Sequence, residues 1–466
     1  MAEPVGAYAA ATVRASMTGE TVLVCGAGLA GESAVRALLA RGARVLLADR
    51  VESAAVSALV GAGAEFVGSP TAVPGEVDLV VTSPGWRPDH PLLRSALDAG
   101  IEVIGEVEFA WRLRGPDAAP WLAITGTNGK TTTARMLESI LQASGARALA
   151  VGNVGVSIID AVTAEVPYDV LSVELSSFQL HWSSTIAPAA GVMLNLAPDH
   201  LDWHGSMAAY ATAKSRVWGG WLAIGNLDDP QVVTLLASVD TPTRVGFTLR
   251  DPQSGELGVR DGMLVDCAFD TALELLPAAD IRPAGAHNVA NALAAAALAR
   301  AHGLTAEDVA AGLRSFVPDP HRNQFVATVG GVDFVDDSKA TNPHAALASL
   351  TAYDRVVWIA GGQLKDAPVD ELVEAIAPRL GGAVLLGADR ATLADALGRH
   401  APDVPLIEVS STDDGVMTEV VHAAAGLARP GDTVLLAPAA ASYDMFTGYA
   451  ARGDQFVAAV RRLEHR

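Results

Sequence analysis

The stretch Trp121–Thr132, WLAITGTNGKTT, decides how the rest of the chain is read. Its first five residues, Trp121–Thr125, form a short apolar run suited to a buried strand, and Thr133–Leu141 beyond it reads as helix. A glycine-rich loop between strand and helix aims successive backbone N–H groups at one point, where phosphate oxygens can sit. Gly126, Thr127, Asn128, Gly129 and Thr132 supply that cradle, Lys130 can neutralise charge on β- and γ-phosphates, and the Thr131 hydroxyl suits Mg²⁺. The loop departs from the usual pattern in placing Ile124 where a glycine is customary. A Gly/Thr-rich turn carrying a surface lysine is the bland alternative, and the strand–loop–helix setting argues against it.

The 466 residues suggest about three domains at roughly 150 residues each. Half of the residues are hydrophobic and only 18% are charged, which excludes a disordered chain. The net charge of −21 argues against nucleic acid but leaves room for small anionic ligands held by backbone amides and a few lysines. Two cysteines, Cys25 and Cys267, cannot build a disulfide framework and suit a reducing compartment. No apolar run reaches membrane-spanning length, and Ala189–Leu196, the most apolar, carries Asn195. Residues 1–20 lack the basic start and apolar stretch of a signal peptide and read as a ragged leader. These features predict a cytoplasmic protein with no membrane segment.

Short β-branched runs alternate with Ala/Leu-rich helical stretches in three blocks, the signature of βαβ units. The first has strands at Thr21–Cys25, Arg44–Ala48 and Asp78–Thr82, and a helix at Ala30–Arg41. The linker-like segment Arg112–Pro120 precedes the second, with strands at Trp121–Thr125, Asp169–Glu174 and Gly191–Leu196 and a long helix after His287. Phe316–Asn323, with two prolines, marks a junction to the third, with strands at Val332–Asp336, Arg355–Ala360, Ala383–Gly387 and Thr433–Ala437. The expected domains are 1–115, 116–318 and 319–466.

Further segments could carry chemistry. Gly26-Ala27-Gly28-Leu29-Ala30-Gly31 follows a strand, opens a helix and precedes Asp49 at the end of the next strand. Two readings stay open: a dinucleotide site, or a tight Rossmann-like turn with another ligand or none. Glu174 ends a strand where open α/β sheets bind ligands, and its carboxylate suits a hard cation. In Asp199-His200-Leu201-Asp202-Trp203-His204, the histidine spacing resembles a zinc pair, but Leu201 stands where a zinc protease needs glutamate. A place for His200 beside Mg²⁺ and phosphate fits better. Lys214, taken alone, reads as a surface lysine. Asn288 and Asn291 share one face of a helix, where they can meet a base edge or simply cap and pack. In the third block Asp337–Asn342, Gly361–Lys365 and Pro438–Phe446 all follow strands and would share one rim of a parallel sheet.

Read in order, GTNGKTT, VELSSFQL, PDHLDWHGS, AHNVANALAA, PHR, DDSKATNP and SYDMF resemble the Mur ligase family, most closely its D-glutamate-adding member. The resemblance spans nearly the whole chain. It implies an α/β protein of three domains: a Rossmann-like N-terminal domain, a central phosphate-loop ATPase with a mainly parallel sheet, and a Rossmann-like C-terminal domain. The implied reaction joins D-glutamate to UDP-N-acetylmuramoyl-L-alanine with cleavage of ATP, with no nucleic acid and no obligate protein partner.

By the same resemblance, Lys130, His200, Lys214 and Lys339 serve catalysis. Thr131, Glu174, His200 and Lys214 hold two Mg²⁺ ions. Asn288 and Asn291 face the adenine, and Arg322 and Asp337 serve the ATP. Leu29, Ala30, Asp49, Arg50, Ser83 and Asn153 belong to the UDP substrate, and Thr341, Lys365, Ser442 and Tyr449 to D-glutamate. An ammonium next to Mg²⁺ would be repelled by several kcal/mol at an effective dielectric of ~20; the resemblance resolves this by carbamylating Lys214. The chain departs from the family pattern at Gln324, where glutamate is common, and at Pro438–Ala441, where the loop lacks its usual cysteine. Two alternatives stay open, a sibling ligase adding another amino acid and an NAD-dependent oxidoreductase.

Overall fold

The apolar runs of the sequence become strands of three sheets in the computed structural model, which describes residues 17–365, 367–411 and 415–464. Most of the leader expected over residues 1–20 lies outside the described residues. The first sheet contains β1 (Thr21–Cys25), β2 (Arg44–Ala48), β3 (Glu65–Gly68), β4 (Leu79–Thr82) and β5 (Glu102–Gly105), in the order β3-β2-β1-β4-β5, all parallel. The second contains β6 (Trp121–Thr125), β7 (Ala148–Gly152), β8 (Val170–Glu174), β9 (Ala190–Met193), β10 (Leu222–Asn226), β11 (Thr243–Phe247), β12 (Glu256–Arg260), β13 (Met263–Asp266) and β14 (Leu273–Pro277). Its order is β14-β13-β12-β11-β10-β9-β6-β8-β7, and only the β12–β14 end is antiparallel. The third contains β15 (Gln324–Val329), β16 (Val332–Asp336), β17 (Val356–Gly361), β18 (Leu380–Leu386), β19 (Leu406–Glu408) and β20 (Thr433–Leu436), ordered β15-β16-β20-β17-β18-β19, with β15 alone antiparallel. The fold is α/β, with mostly parallel sheets in three domains, as the sequence predicts.

Parallel strands are covered on both faces, so their sequences read as unbroken apolar runs. Every residue of β4, β6, β8 and β17 is buried. The long helix after the central sheet spans Ala286–Ala301, and its stretch Ala292–Ala299 is fully buried. Alanine costs no side-chain entropy there and keeps the helix thin enough to be enclosed.

The chain gathers into two compact units. One runs to Asp280 and takes in Ala290–Phe316; the other comprises Ile281–Val289 and Val317–Arg466. Residues 281–289, expected with the central domain, therefore group with the C-terminal sheet. Within the first unit, the helix Glu106–Leu113 joins the two sheets. Its buried Glu106 accepts from Gln179 Nε2 at 2.8 Å, and Glu108 accepts from the backbone N–H groups of Ser184 and Thr185 at 2.8 and 3.0 Å. Among the described residues no helix is long and apolar enough to cross a membrane.

Candidate active site

β6 lies between β8 and β9, so the loop after it is flanked by the ends of both. Gly126–Gly129 is pinned from that side: Thr127 N–H donates to Asn195 O at 3.1 Å and Asn128 N–H to Asn195 Oδ1 at 2.8 Å. Gly129 caps the helix Lys130–Ala143 at φ 83°, a left-handed conformation that favours glycine. A Cβ there would lie 2.4 Å from Asn291 Oδ1, so the loop and the Asn291 side chain are in direct contact.

Lys130 Nζ donates to the carbonyl oxygens of Gly126 and Thr127 at 3.0 and 2.9 Å. Lys214, from the helix Met207–Ser215, donates to the same Gly126 oxygen at 2.7 Å and is only 1% exposed. The reading of Lys214 as a surface lysine is therefore wrong. Burial, and then the charge of Lys130, push its ammonium well below the usual lysine range. Tyr210, one turn earlier, lies under Lys214 and within 3.1 Å of Thr127 Oγ1, tying this helix to the loop.

Glu174 ends β8 almost fully buried. Its Oε1 accepts from Asn153 Nδ2 at 2.9 Å, while Oε2 is buried with no hydrogen-bond partner. Asn153, assigned by resemblance to the UDP substrate, thus touches the metal-side carboxylate. An orphaned carboxylate oxygen close to the phosphate loop fits a hard cation. Among the described residues no three His, Cys, Asp or Glu side chains converge on one point. Mg²⁺, which keeps waters and takes phosphate oxygens beside one or two carboxylates, suits such a sparse donor set. His200 caps the one-turn helix Leu201–His204 at φ 53°, its ring 4.7 Å from that of Phe178. His204, far from pairing with His200 around zinc, lies 2.9 Å from Ser177 Oγ, and burial first of all lowers it to about 4.

The glycine turn after β1 and the loop after β4 meet where the strand order of the first sheet reverses, the usual place for a ligand. Gly26 has φ 100°, and a Cβ on it would meet Ser83 Oγ at 2.7 Å. Ser83 Oγ is buried without a partner. Asp49 accepts from Ala27 N–H and Arg50 N–H at 2.7 and 2.6 Å, which fixes the turn. Leu29 and Ala30 open the helix Leu29–Leu39 beside it. An adjoining cleft of about 620 Å³ is lined by Arg50, Gly85, Trp86, Arg87, Asp89, His90 and Pro91. Sequence reasoning found Arg50 and missed Trp86, Arg87 and His90, since a lone SPGW after a strand carries no periodic signal.

In the second unit the loops after β16, β17 and β20 share one rim. Lys339 Nζ lies 5.1 Å over the Tyr449 ring, and Lys365 has φ 53°. Ser442 is buried, and the paired Gln363 and Ala441 backbones exchange bonds of 2.8 and 2.9 Å beside it. Thr341 follows at the start of the turn leading to the helix Pro343–Leu350. Burial raises Asp337 to about 6, with Arg322 opposing, and Asn323 N–H donates to it at 3.1 Å. Asn288 Nδ2 donates to Ala284 O at 3.3 Å. Gln324 Oε1 accepts from His321 N–H at 3.0 Å, an acceptor role that a glutamate carboxylate would also fill.

Arg452, which the sequence did not single out, is 1% exposed under this rim. Its guanidinium donates to Ser338 Oγ, Ser338 O, Gly361 O and Ala440 O at 3.0, 2.8, 3.3 and 3.1 Å, one clamp on three loops.

The phosphate loop, with a buried lysine and an orphaned carboxylate beside it, fits a nucleoside triphosphate, and the family models give the class, an ATP-dependent ligase. Mur ligase MurD-like, N-terminal domain matches residues 20–105, Mur ligase middle domain 124–299, and Mur ligase, glutamate ligase domain 321–440. The chain belongs to the Mur ligase family. More particularly, it is 56% identical over 463 residues to UDP-N-acetylmuramoylalanine--D-glutamate ligase of Thermobifida fusca, covering 96% of this chain and 99% of that one. It is 51% identical to the enzyme of the same name from Streptomyces coelicolor, covering 96% and 98%. The fold is shared with UDP-N-acetylmuramate-alanine ligase MurC of Thermotoga maritima, at TM-score 0.58, 18% identity and coverage of 95% and 99%. MurF from Acinetobacter baumannii gives TM-score 0.59 at 18% identity, covering 97% and 92%.

Proposed function

We propose that the protein is an ATP-dependent ligase that joins D-glutamate to UDP-N-acetylmuramoyl-L-alanine in the cytoplasmic synthesis of peptidoglycan precursors. The observation that carries this reading is the end-to-end identity with D-glutamate ligases over a chain whose phosphate loop, Gly126–Thr132, is intact.

A carboxylate does not condense with an amine in water, because its oxygen leaves poorly. Transfer of the ATP γ-phosphoryl group to the alanyl carboxylate makes an acyl phosphate; the amine of D-glutamate then attacks its carbonyl carbon, and phosphate leaves. The loop N–H groups orient the phosphates, and Lys130 offsets charge that builds on the equatorial oxygens. Thr131, Glu174, His200 and a modified Lys214 would hold two Mg²⁺ ions, which supply further charge neutralisation when bound. The UDP-sugar is held by Asp49, Arg50 and Ser83, with Leu29 and Ala30 beside it and Asn153 shared with Glu174. Asn288 and Asn291 receive the adenine, and Arg322 and Asp337 serve the ATP. Lys339, Thr341, Lys365, Ser442 and Tyr449 offer D-glutamate two cations and three hydroxyl groups for its two carboxylates.

Lys214 is proposed to be carbamylated. Its buried amine, driven toward the neutral form, adds to CO₂: an N–C bond forms as one C=O π bond opens, one proton leaves the nitrogen, and a neutral amine becomes an anionic oxygen donor. The new anion would face Lys130, replacing a repulsion with an attraction.

Phosphate release should require ATP, UDP-N-acetylmuramoyl-L-alanine and D-glutamate together. Faster release with L-alanine or a diamino acid in place of D-glutamate would assign the chain to a sibling ligase instead.

A further inference from the structure

The loop Ser83–Pro91 leaves the C-terminal end of β4 and lines the cleft with Trp86, Arg87, Asp89 and His90. Arg87 faces two ways from it. Its Nε and Nη2 lie 3.1 and 3.4 Å from the two Asp89 carboxylate oxygens within the loop. Nη2 also donates to the backbone oxygen of Asp202 at 2.9 Å, and Nη1 lies 3.9 Å from Asp202 Oδ2. Asp202 belongs to Leu201–His204, the one-turn helix that begins at His200.

That helix is poorly anchored by its own means. None of its residues is buried, and left-handed residues bracket it, His200 at φ 53° and Gly205 at φ 78°. Three internal bonds, Trp203 N–H and His204 N–H to His200 O at 3.1 and 3.0 Å and Gly205 N–H to Leu201 O at 2.8 Å, close its single turn. So few bonds do not offset the entropy of ordering a helical turn. Its position depends on packing from outside: the Phe178 ring, 4.7 Å from both His200 and Trp203, Ser177 Oγ, 2.9 Å from His204 Nε2, and Arg87 from the cleft loop.

We propose that Arg87 is a positioning residue that transmits occupancy of the nucleotide cleft to His200. The Arg87 side chain is 47% exposed, and a pair of that kind holds little on its own, since it must give up side-chain freedom to form. A nucleotide in the cleft touches the guanidinium and removes that freedom in advance. The bond to Asp202 O then fixes Leu201–His204, and with it the His200 ring. The metal-side histidine is thereby organised when the acceptor substrate is present and left loose when it is absent. By linkage, an ordered Leu201–His204 turn favours nucleotide in the cleft to the same extent. This inference rests on the reading of the cleft as the UDP site.

Hydrogen exchange of peptides spanning residues 199–206, with and without UDP, tests it. Calorimetry first establishes UDP concentrations that saturate the wild type, Arg87→Ala and Arg87→Gln. UDP should slow exchange of this segment several-fold in the wild type and leave it unchanged in both variants. Equal slowing in a saturated variant, or none in the wild type with UDP bound, overturns the coupling while the UDP reading stands. Failure of the wild type to bind UDP overturns both.

Discussion

Lys214 and Lys130 donate to one carbonyl oxygen, that of Gly126, and this crowding of two ammonium groups is the feature that most constrains the chemistry. If Lys214 works as a carbamate, Lys214→Ala should lose at least a hundredfold in turnover while keeping its fold. Acetate or another small carboxylate should then restore part of the activity in a phosphate-release assay. Full activity of Lys214→Ala in bicarbonate-free buffer would remove the carbamate. Nothing in the local stretch YATAKSRVW announces this residue, because the partner that it reaches, the Gly126 carbonyl, lies in the distant phosphate loop. Only the family resemblance pointed to it. Glu106 was invisible for the same reason: its environment is made by Gln179, far along the chain. Burial raises its carboxyl to about 7, and Oε2 has no partner. With a folded value above the unfolded one, the folded state holds the proton more tightly. Its contribution to stability is therefore full at low pH and is lost as pH rises from about 4.5 through 7. The loss amounts to roughly 3 kcal/mol by linkage. Glu106→Gln should abolish that slope, so urea unfolding at pH 5.5 and 8 should show the variant gaining on the wild type at the higher pH.

Among the elements, strands and helices were easier to read than the contacts that organise them. β6, β17 and β20 follow from nearly continuous apolar runs, and β8 and β16 from their β-branched and large apolar residues. β12 and β13 were missed, although Asp261-Gly262 between them, at φ 49° and 77°, is the turn chemistry of a two-residue hairpin. Glu256, Arg260 and Asp266 break the apolar pattern of those strands, although none of the three is exposed. The one-turn helix Leu201–His204 is too short for any periodic signal. The rim of the third sheet was legible as three polar clusters, but its clamp was not: Arg452 lies in a helix rich in other arginines, and sequence does not say which one turns inward. Arg452→Met should leave buried carbonyls of three loops unsatisfied, costing on the order of 3 kcal/mol. The KM for D-glutamate should rise tenfold or more while the KM for ATP stays within about twofold. Equal changes in both constants would make Arg452 a general stabiliser without a specific hold on the rim.

At the scale of the molecule, the alternation of strand and helix announced an α/β protein, and the order of seven motifs announced the family. The first two sheets fall within one compact unit, where Glu106 and Glu108 tie them through hydrogen bonds that no local pattern foretells. The central claim is that the chain uses ATP to activate a carboxylate and then gives the acyl group to D-glutamate. Supplying UDP-N-acetylmuramoyl-L-alanine with ¹⁸O in its alanyl carboxylate tests this directly. If an acyl phosphate forms, the oxygen that bridges carbon and phosphorus leaves with the phosphate, and each amide bond made should yield one phosphate carrying one ¹⁸O. Unlabelled phosphate, or release of AMP and pyrophosphate, would contradict the account.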